Sequence, residues 1–215
     1  MAFFFPAADN SALLQAIFDQ DLTKVRQLLP EADCREGGGR LLRTAVVYST
    51  QAIVEVIAAQ TPTQFYSGAV REGLEHNKHL PLIRLIPLAK FKNGAQEEIS
   101  LAFSQEAWEC LMGLLLHSNI KRDSALWVQR LTKRTPLEVV RRLHRLMGPR
   151  LCQDLPLTVW TLAGTNPQAF EVFAPHLNLQ KMHALVLTKM YTRLTKDSQD
   201  LIEKLLLEQG HRVAI

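Results

Sequence analysis

What this chain has little of narrows it first. Its 215 residues hold three cysteines, Cys34, Cys110 and Cys152, an odd number, widely spaced and in no CxxC pair. Such usage fits a reducing compartment, the cytoplasm, rather than a disulfide scaffold. Long hydrophobic runs are missing too. The richest, Leu111 to Leu116, falls far short of the roughly 18 apolar residues that a membrane span needs. The opening MAFFFPAADN has no basic region, long apolar stretch or small-residue cleavage site, so it does not read as a secretory signal. Phe3, Phe4 and Phe5 are expected to cover the exposed end of the fold. No alternating pattern long enough for a strand occurs, which predicts an almost entirely helical protein.

Chemical signatures are equally scarce. There is no G-x-S-x-G, HExxH, Walker or dinucleotide fingerprint. Gly37 to Gly39 precede a helix but no Lys-Ser/Thr follows, so they read as a flexible loop and not a phosphate cradle. His76 and His79 have the spacing of two metal ligands on one helix face, yet nothing completes a site and they read as a surface pair. His117, His144, His176, His183 and His211 are scattered singly. Glu97 and Glu98, as helix neighbours, diverge by about 100° and do not converge on one substrate. No metal and no cofactor is expected. A Cys/His site assembled only in space stays open as an alternative.

What is present is a repeat. With 47% hydrophobic and 21% charged residues the chain has the makeup of a folded protein with a sizeable core. In Asp21–Leu29, DLTKVRQLL, the residues Leu22, Val25, Leu28 and Leu29 form one stripe of an α-helix. The same template returns with central residues at 25, 54, 83, 111, 140, 170 and 202, a period of 28 to 32 residues held over seven copies. Such a period predicts stacked antiparallel helix pairs in one domain spanning 1–215.

Local punctuation agrees with pairs. Asp9, Asn10 and Ser11 can cap the first helix, and Ser104 can cap between the two helices of the fourth pair. Thr135-Pro136-Leu137-Glu138 has the form of a capping box. Asn166-Pro167 repeats that device, and the last pair is expected from near Asn178, broken around Lys196 to Ser198 and ending at Gly210.

Leu13-x-x-Ala16 followed by Asp21-Leu22-x-x-Val25-x-x-Leu28-Leu29 resembles the ankyrin repeat, and Leu42, Ala45, Val54 and Ile57 carry the same spacing. Small residues at Ala16, Ala45 and Ala102 stand nine positions before the central apolar residue, where paired helices approach closely. The period is shorter than the roughly 33 residues of that family, which implies short or missing β-turn fingers. The inter-helix glycine is replaced by Gln20, Ser49, Lys78, Glu106, Thr135, Thr165 and Asp197. The resemblance therefore implies an all-α, ankyrin-like α-solenoid of about seven helix pairs without fingers, with HEAT-like stacking as the alternative. It also implies a non-enzymatic protein–protein interaction module of adaptor, inhibitor or secreted-effector type, acting in the cytosol of its own cell or of a host.

Charge points to where such a protein would bind. Residues 120–150 hold nine basic side chains, Lys121, Arg122, Arg130, Lys133, Arg134, Arg141, Arg142, Arg145 and Arg150, against Asp123 and Glu138 alone. That segment carries +7 in a chain whose net charge is +4. If Leu137, Val140 and Leu143 face the core, then Glu138, Arg141, Arg142 and Arg145 face out. The nine are the candidate partner-binding residues, for a protein with an acidic surface or, as the alternative, for nucleic acid. A solvated face paired with acidic neighbours is the plain structural reading. Trp108, Trp127 and Trp160 sit within helical apolar patterns and are expected in the core rather than as base-stacking platforms.

Overall fold

The computed structural model describes residues 10–179, 191–192 and 194–209. All regular structure in them is helical, with no strand. No helix among them is long and apolar enough to cross a membrane. The chain divides into two compact units, Met1–His117 and Ser118–Ile215. The expectation for Phe3, Phe4 and Phe5 lies outside the described residues, as does most of the helix expected after Asn178.

The first unit holds four helix pairs: α1 (Ser11–Phe18) with α2 (Leu22–Leu28), α3 (Glu36–Tyr48) with α4 (Gln51–Gln60), α5 (Tyr66–Glu75) with α6 (His79–Leu85), and α7 (Gln96–Ser104) with α8 (Trp108–Leu114). Within it α1, α3, α5 and α7 pack successively on one another, and α2, α4, α6 and α8 do the same.

Three of the four pairs turn in one way. The N–H of Asp21, Lys78 and Ala107 donates to the carbonyl of Ala16, Gly73 and Ala102, and the residues before them, Gln20, Asn77 and Glu106, have φ of 56°, 56° and 54°. This hydrogen-bond pattern ends a helix on one left-handed residue, normally glycine. Five residues on come Val25, Leu82 and Leu111, all fully buried, so the turn sets the register of the second helix. That register corrects the third copy: Ile83 and Leu80 are 38% and 69% exposed, while Leu82 and Leu85 are buried. Nine positions before Leu82 stands Gly73, packed so that a Cβ would meet Leu82 Cδ2 and Val46 Cγ1, each at 2.6 Å. It completes the series Ala16, Ala45, Gly73, Ala102.

A non-glycine residue in the left-handed region costs about 1–2 kcal/mol. Gln20→Gly should therefore raise the denaturation midpoint, a gain of about 0.5–1 kcal/mol after the entropy of glycine in the unfolded chain and one exposed hydrogen bond to the Tyr48 carbonyl are offset. An unchanged or lower midpoint would show that the side chain contributes more than the strain.

The glycines at 37–39 are not a loose loop. They have φ of 55°, 64° and 78°, one left-handed turn inside the start of α3 ahead of its right-handed part, and the Arg43 guanidinium donates to the carbonyls of Gly37 and Gly38 at 2.9 and 3.0 Å. A similar turn at Asn93, Gly94 and Ala95 leads into α7.

Several expected caps form differently. Asp21 caps α2, accepting from the Lys24 N–H, a cap not among those expected. Asn10 instead donates to the Asp33 carbonyl and the Glu36 carboxylate, and Ser104 Oγ donates back to the Leu101 carbonyl while Ala107 begins α8.

Among its described residues the second unit holds α9 (Ile120–Gln129), α10 (Leu137–Gln153), α11 (Pro156–Thr165), α12 (Pro167–Phe173) and α13 (Lys196–Glu208). There α9 packs on α11, α10 on α9 and α12, and α12 on α13. Its core includes Trp127, Val140, Leu143, Trp160, Phe170, Phe173 and Ile202. The capping box at Thr135 does not form: the Thr135 hydroxyl oxygen accepts from the Thr132 N–H at 3.0 Å, and α10 starts without a side-chain cap. Asn166 does cap α12, accepting from the Ala169 N–H. The break expected around Lys196 to Ser198 falls slightly earlier, at Thr192, Leu194 and Thr195, and Thr195 caps α13, which opens at Lys196. Gly148, with φ 72°, interrupts α10 just ahead of Pro149.

Candidate binding surface

The basic segment runs from α9 into α10, and the fold sorts its side chains into different roles. Arg122 is bound to its neighbour Asp123, Nε to carboxylate at 2.8 Å, and Asp123 is buried. Arg130 lies over the Trp127 ring at 5.8 Å from its centroid, a cation–π contact that holds it against the core. Lys133 and Arg134 are exposed in the connection before α10, and Arg150 is exposed after the break at Gly148. The side chain of Lys121 lies outside those described.

On α10 the core stripe is as expected: Val140 and Leu143 are fully buried, with Val139 and Met147 beside them. Glu138, Arg141 and Arg145 consequently point to solvent, but Arg142 is only half exposed, and its Nε is buried with no hydrogen-bond partner. Arg142 thus departs from the outward face expected of it, because α10 buries a wider arc than Leu137, Val140 and Leu143 alone.

Glu138, Arg141, His144 and Arg145 together line an opening of about 500 Å³. No carboxylate among the described residues lies within ion-pair distance of Lys133, Arg141, Arg142, Arg145 or Arg150. Among the described residues the exposed arginines of α10 are therefore left without an acidic partner, and the like charges of Arg141 and Arg145 repel by a few tenths of a kcal/mol.

His144 was not legible as part of any site. Its ring stacks on His176 at 4.7 Å and 27°, and meets the Phe173 ring edge-on at 5.3 Å. Its Nε2 is buried without a hydrogen-bond partner. Burial first, and the neighbouring His176 second, hold its pKa below the ordinary imidazole value of 6.5. The sign follows from linkage: below about pH 6.5 the unfolded chain takes up this proton before the folded one does, so acidification destabilises the second unit until the folded pKa is passed. The groups facing the ring are the charged Arg141, Arg145 and Glu138 and the imidazole of His176. The cost of lowering the pH from about 7 to 5 should be smaller in His144→Phe than in the native chain, read by denaturation at each pH. Equal costs would remove His144 as the source.

The chain matches no protein-family model, no curated protein and no solved structure. What the site can do therefore rests on its chemistry. Burial pushes the Cys110 thiol up to about 12 and the Cys152 thiol up to about 11, so neither supplies a thiolate at neutral pH. Cys34, also buried, is shifted the same way. No group of three or more His, Cys, Asp or Glu among the described residues is placed to hold a metal ion. His76 Nδ1 is engaged with the Glu72 carbonyl at 2.9 Å. Trp127 and Trp160 are buried, at 0% and 2% exposure, and Trp108 packs edge-on against Phe103.

Proposed function

We propose that the protein is a non-enzymatic interaction module, an α-solenoid of ankyrin-like helix pairs without fingers, that binds an acidic protein surface through the outer face of α10. The stacking part of this reading is supported by the recurrent left-handed turn at Gln20, Asn77 and Glu106, each five residues before a fully buried side chain. HEAT-like stacking is the second description of the same pairs. An adaptor, an inhibitor or a secreted effector working in a cytosol would each use such a surface.

One observation carries the binding reading: Arg141 and Arg145 are exposed one helical turn apart with no carboxylate in ion-pair distance among the described residues. Exposed, uncompensated guanidinium groups steer and orient an acidic partner. Burial of Trp127 and Trp160 supports a protein partner over single-stranded nucleic acid, whose bases need exposed rings to stack on.

The test is affinity capture with the intact chain and with an Arg141→Glu/Arg145→Glu variant, each analysed beside direct binding to duplex and single-stranded nucleic acid across salt. Charge reversal should remove at least one acidic protein from the captured set. Retention of every partner by the variant sinks the docking surface. Tight nucleic-acid binding that falls steeply with salt and vanishes in the variant would replace the protein partner with nucleic acid.

A further inference from the structure

The exposed part of the basic segment is not uniform: on α10 it borders a concavity, while Lys133, Arg134 and Arg150 stand apart from it. Resting on the docking reading above, we propose that the opening bounded by Glu138, Arg141, His144 and Arg145 seats a single phosphoryl group carried by the protein partner.

Arg141 and Arg145 are four residues apart within the unbroken part of α10, which puts their stems on one face about 6 Å apart along the axis. Two planar guanidinium forks at that spacing offer paired donors to one anion with several oxygens. A lone carboxylate is satisfied by one fork. A phosphoryl group has three terminal oxygens and a charge of about −1.5 to −2, which uses both. The opening's volume of about 500 Å³ suits a phosphorylated side chain with the backbone beside it.

The remaining walls set selectivity. Glu138 brings a negative charge to the same opening, which disfavours a long polyanion and can accept an N–H from a peptide flanking the phosphoryl group. His144 contributes an imidazole whose Nε2 has no hydrogen-bond partner. At rest burial and His176 keep that ring neutral, so the opening carries two positive charges and one negative. An anion beside the two guanidinium groups acts in the opposite sense and favours the imidazolium, so binding and protonation of His144 reinforce each other.

The experiment uses the full chain and the ring resonances of His144 in NMR. Inorganic phosphate should shift them saturably and raise the apparent pKa of His144, whereas chloride at matched ionic strength should not. A phosphoserine peptide should act at lower concentration than inorganic phosphate, and its unphosphorylated twin should act no better than chloride. Arg141→Gln/Arg145→Gln should abolish the response. Lys204→Gln, exposed on α13 and outside the candidate binding residues, should keep it, and the His144 signal itself reports that α10 remains folded in each variant. Equal responses to phosphate and chloride, or a response that survives in the double Gln variant, overturns the proposal. Failure here is separable from failure of the docking reading. If the native chain holds its protein partner equally well before and after phosphatase treatment while the charge-reversed variant loses it, docking stands and the phosphoryl seat falls. A saturable phosphate response with every partner retained would overturn carriage by a protein partner and leave docking refuted.

Discussion

Gly39→Ala should destabilise the first unit by about 2–4 kcal/mol, the larger of two effects within a single turn. Position 39 has φ 78°, so any Cβ there pays the left-handed strain, and its Cβ would also come within 2.7 Å of Phe65 Cβ and 3.1 Å of Phe65 Cγ. Neither atom is the free end of a side chain, so the turn before α5 must move to make room. Gly38→Ala is the internal control. It shares the left-handed conformation at φ 64°, but its nearest neighbour, the tip of Arg43, stands at 3.6 Å. The control should cost about 1 kcal/mol, and the difference between the two variants isolates the close approach to Phe65. Chemical denaturation followed by far-ultraviolet circular dichroism measures both. Equal midpoints for the two variants would mean that α5 yields freely.

A loss of about 1.5–2.5 kcal/mol is expected in the second unit from Asn166→Ala. Asn166 is 3% exposed and uses both ends of its amide: Oδ1 accepts from the Ala169 N–H at 2.9 Å, and Nδ2 donates to the Thr132 carbonyl at 2.6 Å. The first bond caps α12, worth typically about 1 kcal/mol. The second ties the connection between α9 and α10 to the start of α12, and its loss costs about 0.5–1.5 kcal/mol, since Thr132 is exposed and water can meet its carbonyl. Asn166→Asp separates the two. It keeps the cap but sets a carboxylate against the Thr132 carbonyl, so it should recover little. Tryptophan fluorescence reports this unit through buried Trp127 and Trp160. Full stability in the Asp variant would show that only the cap matters.

Much of the helical layout was legible because the buried stripe recurs with a nearly fixed period and a helix pair has no other way to cover it. The register of α6 was not legible from its stripe. Leu80, Leu82, Ile83, Leu85 and Ile86 put apolar side chains all round that helix, so two stripes one residue apart fit equally. The left-handed turn at Asn77 decides between them, and because Asn enters positive φ far more readily than Lys, that signal lay in the Asn77-Lys78 pair itself. The capping box at Thr135 failed by position. The helix begins at Leu137 with Pro136 at its cap position, one residue later than the box requires, and the Thr135 hydroxyl serves the turn before it by accepting from the Thr132 N–H.

At the candidate site, the segment was legible from charge alone, but its division was not. Sequence spacing separates Arg141 and Arg145 from the core, yet nothing local distinguishes them from Arg122, bound by Asp123, or Arg130, resting on Trp127. His144 and His176 lie 32 positions apart, and only the packing of α10 near the end of α12 brings their rings together.

The succession of helices in the first unit also bears on how it acquires structure. Its principal contacts join each helix to elements one or two places along the chain, so every closure spans a short loop. Low contact order of this kind gives folding times on the order of milliseconds or shorter. Residues up to His117 can then organise while the rest of the chain is still being synthesised, and a nascent-chain protease assay should find protection arising in steps of one helix pair.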